Sequence, residues 1–396
     1  MTIPPFASSG KGEGPAMKLT KPLTASLSEA SEFLADRLFQ SIMEGVMVTN
    51  VEGKILFINP AFTEITGFDK EVIGLTPRVI RSGKHSEAFY KNIWDSIARH
   101  GQWKGEIWNK RKDGQFYVQW TTITVIKDEK GKPLFYASVF TDISAKKEAE
   151  QQLQEDLRLA RKVQKELLSQ PIRNQDIHIT GAYLPSTMIG GDLYVWYQLN
   201  EHEYSLFVLD VMGHGITSAL LAVSIRSLLR SVLYETVKPA NVLEKMNSHV
   251  YSLFKSQQAT LRTYFISGIY VHIDTDAKQI RYASAGHPPG LFIDYTGDVT
   301  ELESSCPPLG MIEQIEVKEG QFDYEGRAVL VLYTDGLIEH GEQTVGAAIE
   351  ELKKMVRQHR HLESEQIICQ LLKEKKYSRN PNTFEDDITI VTAILY

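Results

Sequence analysis

The chain has 396 residues, enough for two domains and a connector, and its 42% hydrophobic and 23% charged residues are an ordinary globular mixture. A formal net charge of −7 advertises no basic face for nucleic acid. Two cysteines, Cys306 and Cys369, offer neither a disulfide framework nor metal-ligand spacing, no run reads as long and apolar enough to span a bilayer, and a cytoplasmic location is expected.

Residues 1–30 are rich in Pro, Gly, Ser and Lys and lack the apolar segment of a signal peptide, so a disordered tail is expected. Residues 31–145 mix short strands with helices. A helix is expected from near Glu32, with Leu34, Leu38 and Ile42 spaced four apart. GVMVTN and ILFINP read as two strands around a turn at Glu52-Gly53, and helical material follows through Phe62, Ile65 and the segment from Ser86 to His100. GEIWNKR, QFYVQWTTITVIKD and PLFYASVFTDI read as three further strands, with turns at Asp113-Gly114 and Gly131. A small antiparallel sheet with flanking helices closes such a set.

Residues 146–170 contain no Gly or Pro and are dominated by helix formers, until Pro171 ends the run. Leu153, Leu157, Ala160, Val163 and Leu167 fall on one narrow stripe. The helix is either a solvated connector or a short parallel coiled coil, and the second reading covers the stripe by making a homodimer.

In residues 171–396 strands and helices alternate, and several strands are apolar on both faces, as in a layered sandwich. Aspartates stand where strands begin or end: Asp192 in GGDLY, Asp210 in VLDVMGHG, Asp335 in LYTDGLIE, and Asp386 with Asp387 in DDITIV. Facing carboxylates repel and are tolerated when a cation sits between them. An all-oxygen donor set suits magnesium or manganese, and no His/Cys spacing suits zinc. Each motif alone is weak: Asp335-Gly336 reads as a turn, Gly213 to Gly215 as a helix entry, and His287 in AGHPP as a packed loop histidine.

Taken in order, GGDLY, VLDVMGHG, YASAGHPP, PPLGM, LYTDGLIE and DDITIV closely resemble the bacterial branch of the metal-dependent (PPM-type) serine/threonine phosphatases, over about Ile179 to Tyr396. The resemblance implies two antiparallel sheets packed between helices, an α+β fold, with two Mn2+ or Mg2+ ions at the sandwich edge that activate a water for phosphate-ester hydrolysis. It implies metal ligation by Asp210, the Val211 carbonyl, Asp335 and Asp386, with Asp192 either a ligand or a residue holding water. It also implies a phosphorylated protein substrate, of which a small anti-sigma-factor antagonist is the common kind. One departure is Val195, where the family commonly has a second aspartate. A catalytically dead phosphoprotein-binding scaffold is the alternative.

The stretches NPAFTEITGF from Asn59, GQWKGEIWNKRKDG from Gly101 and TDIS from Thr141 resemble PAS sensor domains. Such domains bind flavin, haem, small metabolites or nothing. In the comparison with flavin-binding redox PAS domains, Trp103 and Asn109 fall at flavin-pocket positions, which implies FAD; the same residues also read as core packing. Haem through His85 or His100 is a further reading. The whole reads as a 31–145 sensor domain, a 146–170 linker and a 171–396 phosphatase domain, dimeric through linker and sensor.

Overall fold

The computed structural model describes residues 27–213, 215–255, 264–339, 343–375 and 386–396. Most of the expected tail and His214 lie outside the described residues. The chain divides into two units between Gln152 and Leu153.

The first unit begins with α1 (Leu27–Ser41), which starts earlier than its apolar spacing suggests. Then come β1 (Gly45–Asn50), β2 (Ile55–Ile58), α2 (Pro60–Thr66), α3 (Glu87–His100), β3 (Gln102–Lys110), β4 (Phe116–Lys127) and β5 (Pro133–Asp142). The strands form one antiparallel sheet in the order β2-β1-β5-β4-β3. Gly53 turns β1 into β2 with φ of 76°, a left-handed conformation that glycine adopts without strain. Asn59 caps α2 through its side chain, accepts a second bond from the Val46 N–H (2.8 Å) and donates to the Glu44 carbonyl (2.8 Å). One buried amide therefore fixes the helix to the sheet. Ile55, Phe62, Val72 and Phe140 pack beneath it, and Ile93 and Ile97 of α3 cover Ile107 of β3.

The helix α4 (Ser144–Leu167) follows at once, its first N–H held by Asp142 (2.9 Å), which also pairs with Arg111. The apolar stripe forms on one face as expected, but within the protomer Leu153, Ala160 and Val163 stay exposed. What packs instead is the neighbouring face, through Gln164 and, just past the helix, Leu168.

The second unit continues with β6 (Ile172–Arg173), β7 (Ile177–Leu184), β8 (Leu193–Gln198), β9 (Glu203–Val211), α5 (Ile216–Leu233) and α6 (Pro239–Lys255). After these come β10 (Ile266–Asp274), β11 (Gln279–Ala285), β12 (Gly290–Ile293), β13 (Val299–Leu302), β14 (Gly320–Asp323), β15 (Ala328–Tyr333), α7 (Val345–His359), α8 (Ser364–Glu374) and β16 (Ile388–Leu395). Two antiparallel sheets result, ordered β14-β11-β10-β9-β8 and β13-β12-β15-β16-β7-β6. Side chains of both sheets, among them Val208, Leu330 and Val391, share one apolar core with α5 and α6. A second core lies between the larger sheet and α7 with α8. The central strands β9, β15 and β16 are thus buried on both faces, which is why their sequences do not alternate.

One expectation needs correcting. The helix α5 is long and apolar enough to cross a membrane by length and composition. Its Ala222, Ile225, Leu229 and Val232 are buried in the shared core, so part of that apolar character serves packing. The short edge strands β6, β13 and β14 carry little apolar pattern and were not foreseen.

Candidate metal-dependent phosphatase site

Antiparallel pairing explains how aspartates far apart in sequence meet. In one sheet β8 starts beside the end of β9, with Leu193 opposite Leu209, so Asp192 and Asp210 adjoin. In the other sheet β15 ends beside the start of β16, with Tyr333 opposite Ile390, so Asp335 adjoins Asp386. The two sheets are tied at this end by Thr334, whose hydroxyl donates to Asp192 (2.7 Å) and accepts from the Thr389 N–H (2.9 Å).

The electrostatics follow from this crowding. Burial, then the charges of Asp335 and Asp386, push the Asp210 carboxyl up to about 7. Burial, then Asp386, pushes Asp335 up to about 6. Asp192 is raised well above the usual carboxylate range by burial, then by Asp210 and Asp387. Like charges held together in a desolvated place leave room for a bound cation to lower the energy of the whole group.

Among the described residues no three His, Cys, Asp or Glu side chains close around one point as a finished metal site. The donor set nevertheless fits a hard divalent cation. All donors are oxygens, Asp335 Oδ1 is buried without a hydrogen-bond partner, and magnesium-like ions keep several waters and use few carboxylates each. Asp192, Asp210, Asp335 and Asp386 are the side chains that would hold such ions. The Val211 carbonyl faces this end as well, since a methyl group at Gly191 would stand 2.6 Å from it.

Three residues near the site were not assigned a role from the sequence. Asp387 is buried and accepts bonds from the Ser186 N–H (2.7 Å), the Ser186 hydroxyl (2.9 Å) and the Gly191 N–H (2.7 Å). Gln164 of α4 donates its amide to the Gly190 carbonyl (2.7 Å), two residues before Asp192. Tyr183 is oriented toward the same loop, and its hydroxyl has no hydrogen-bond partner. A polar residue in a linker, buried while its apolar neighbours are not, leaves no signal in hydrophobic periodicity. His287 is the packed histidine expected: buried, bonded to the Ser267 hydroxyl (2.9 Å) and pushed down to about 3 by desolvation, it is neutral. Val195 lies in the core, so no ligand position stands vacant there.

In the first unit a cavity of about 420 Å³ opens between the sheet and α3. Asn109, Gln119, Ser138, Tyr90 and Trp94 are in its wall, and the Tyr90 hydroxyl is buried without a partner. Asn109 stands where a pocket residue was expected, and its amide nitrogen satisfies the carbonyls of Ile80 (3.1 Å) and Trp108 (3.2 Å). Trp103 is not in the wall; its indole lies over Gly105 and edge-on to Phe89. His85 uses Nε2 to accept the Trp108 N–H (2.8 Å), which leaves that nitrogen no lone pair for a haem iron.

Residues 200–395 match the family described as Stage II sporulation protein E, and residues 43–145 match a PAS domain. The chain thus joins a stretch similar to PAS domains to one similar to SpoIIE-type phosphatases. Among similar proteins, the phosphoserine phosphatase RsbP of Bacillus subtilis is 38% identical over 184 residues, 46% of this chain and 45% of that protein. The phosphoserine phosphatase RsbU of the same organism is 24% identical over 226 residues, 57% of this chain and 65% of its own. The chain therefore spans about half to two thirds of these relatives. The SiaA-PP2C domain of Pseudomonas aeruginosa shares the fold, with a TM-score of 0.51 at 20% identity over 62% of this chain and 97% of that one.

Proposed function

We propose that the C-terminal domain, which resembles SpoIIE-type phosphatases, hydrolyses phosphoserine or phosphothreonine on a partner protein, using two Mn2+ or Mg2+ ions. The carrying observation is the meeting of Asp192, Asp210, Asp335 and Asp386 at one end of the two sheets, where burial, then neighbouring carboxylates, raises the carboxyls of Asp192, Asp210 and Asp335. When bound, such ions lower the pKa of water and neutralise phosphate oxygens. The chain's own part is positional. Thr334 fixes the Asp192 carboxylate, the β9 end fixes Asp210, and the turn after β15 fixes Asp335. The substrate we favour is a small phosphorylated anti-sigma-factor antagonist, supported by the kinship with RsbP and RsbU. Two free cysteines fit a reducing, cytoplasmic setting.

The deciding experiment is phosphate release by the purified full chain with Mn2+ from a phosphoserine protein, beside Asp210→Asn. Turnover lost in that variant supports the enzyme. Tight phosphoprotein binding with no turnover in either form supports the scaffold reading instead.

Control is placed in the linker. The uncovered stripe at Leu153, Ala160 and Val163 suits a second copy of α4, and Gln164 on the adjoining face reaches the loop that ends at Asp192. Dimerisation through α4 and the PAS domain would therefore act on the site through the Gln164–Gly190 bond. For the PAS cavity we keep FAD as the ligand on the strength of Asn109, without Trp103. A visible absorption spectrum of the purified protein, lost in Asn109→Leu, tests this; a colourless wild-type protein ends it.

A further inference from the structure

The Asp387 carboxylate has more hydrogen-bond donors around it than ligand duty explains. All three are donors of the loop that leads to Asp192: the Ser186 N–H and hydroxyl on one oxygen, and the Gly191 N–H on the other. The approach is so close that a methyl at Gly190 would overlap the carboxylate. On its backbone side, the Asp387 carbonyl fills the space a side chain at Gly336 would need, beside Asp335. Neither Gly190 nor Gly336 has a positive φ, so a turn does not require glycine at either place. What requires it is Asp387.

We propose that Asp387 is a positioning residue which sets Asp192, Asp335 and Asp386 relative to one another. Its carboxylate holds the loop before Asp192, its carbonyl seats the turn after Asp335, and its N–H donates to the Asp386 carboxylate (2.8 Å). A carboxylate is suited to this because it only accepts, and each of these three partners donates to it. An asparagine would turn one oxygen into a donor opposed to an N–H. The inference rests on the metal-dependent reading of this site, but what it asserts is a geometry with its own observable.

The test uses the full-length protein with Asp387→Asn and the milder Ser186→Ala, which removes one donor and leaves the carboxylate in place. Mn2+ affinity is measured by titration calorimetry, and backbone mobility by amide hydrogen exchange. Asp387→Asn is expected to weaken Mn2+ binding by about 10- to 100-fold, the usual scale for groups that orient metal ligands. Ser186→Ala is expected to weaken it by about threefold, the worth of one ordinary hydrogen bond. In both, exchange accelerates at residues 187–192 while the amides of β9 and β16 keep wild-type protection. Wild-type affinity and loop exchange in Asp387→Asn would overturn the proposal. So would acceleration spread evenly over both sheets in both variants, which marks Asp387 as a plain stability residue. If wild-type protein released no phosphate, the proposed function would fall, yet loop exchange in the variants would still decide the role of Asp387.

Discussion

The carboxylate centre and the PAS cavity are built by opposite means. At the centre, charged side chains stand at the ends of four strands from two sheets, paired by register within each sheet and joined across the sheets by Thr334. The cavity is walled mostly by neutral side chains from strand interiors and from α3, with Glu52, Arg78 and Arg81 also in the wall, and its character lies in the space they leave. Strand-end aspartates keep their meaning in a one-dimensional string, because chemistry that needs a cation needs carboxylates. A cavity wall does not, because Asn109 and Gln119 say what edge a ligand shows them and little about its shape.

The sharpest attempt to break this contrast puts a carboxylate where the family has one and this chain does not. Val195→Asp buries a charge in the shared core, and should cost about 3–5 kcal/mol of stability in denaturant unfolding without strengthening Mn2+ binding. A gain in metal affinity with unchanged stability would mean that position 195 belongs to the centre. Next in size, Asp210→Asn should lower phosphate release about 100- to 1000-fold, the scale of one lost preorganised electrostatic contact, and leave any cavity-bound chromophore untouched. Metal removal follows. Mn2+ at about 100 times its Kd should stabilise the second unit by ~2.7 kcal/mol, so chelation should lower one calorimetric transition and leave the PAS transition where it was. The smallest effect is Gln164→Leu, which strands a buried Gly190 carbonyl. It should destabilise the site loop locally by about 1–2 kcal/mol, seen as faster exchange at Gly191 and Asp192 with an unchanged global melting temperature.

Both folds were legible in the sequence, since turns, strand texture and ordered motifs are local properties. The same holds for Asp192, Asp210, Asp335 and Asp386, each placed by the strand it borders. Gly336 invited a turn reading, yet neither it nor Gly190 nor Gly191 has a positive φ. They are glycines because Asp387 and the Val211 carbonyl come too close for a side chain, and that approach is made by residues remote in sequence. Gln164 was hidden for a related reason. The α4 stripe is the louder pattern, but the face that packs in the protomer is the quieter one beside it. Trp103 shows the reverse failure, a residue at an expected position whose ring is turned to its own strand and α3 rather than to the cavity.

The strand β16 has a consequence for how the protein is made. It is the last strand in chain order but lies inside the larger sheet, between β15 and β7, and it carries Asp386 and Asp387 at its threshold. Roughly 200 residues separate it from β7, so at about 5–20 residues per second the ribosome takes roughly 10–40 s to deliver the partner that β7 awaits. Through that interval β7 presents an unpaired edge, as β15 does in its last part, the hazard that invites chaperones or misassociation. A nascent chain stopped short of β16 would own every upstream motif and still have no closed sheet on which to arrange them.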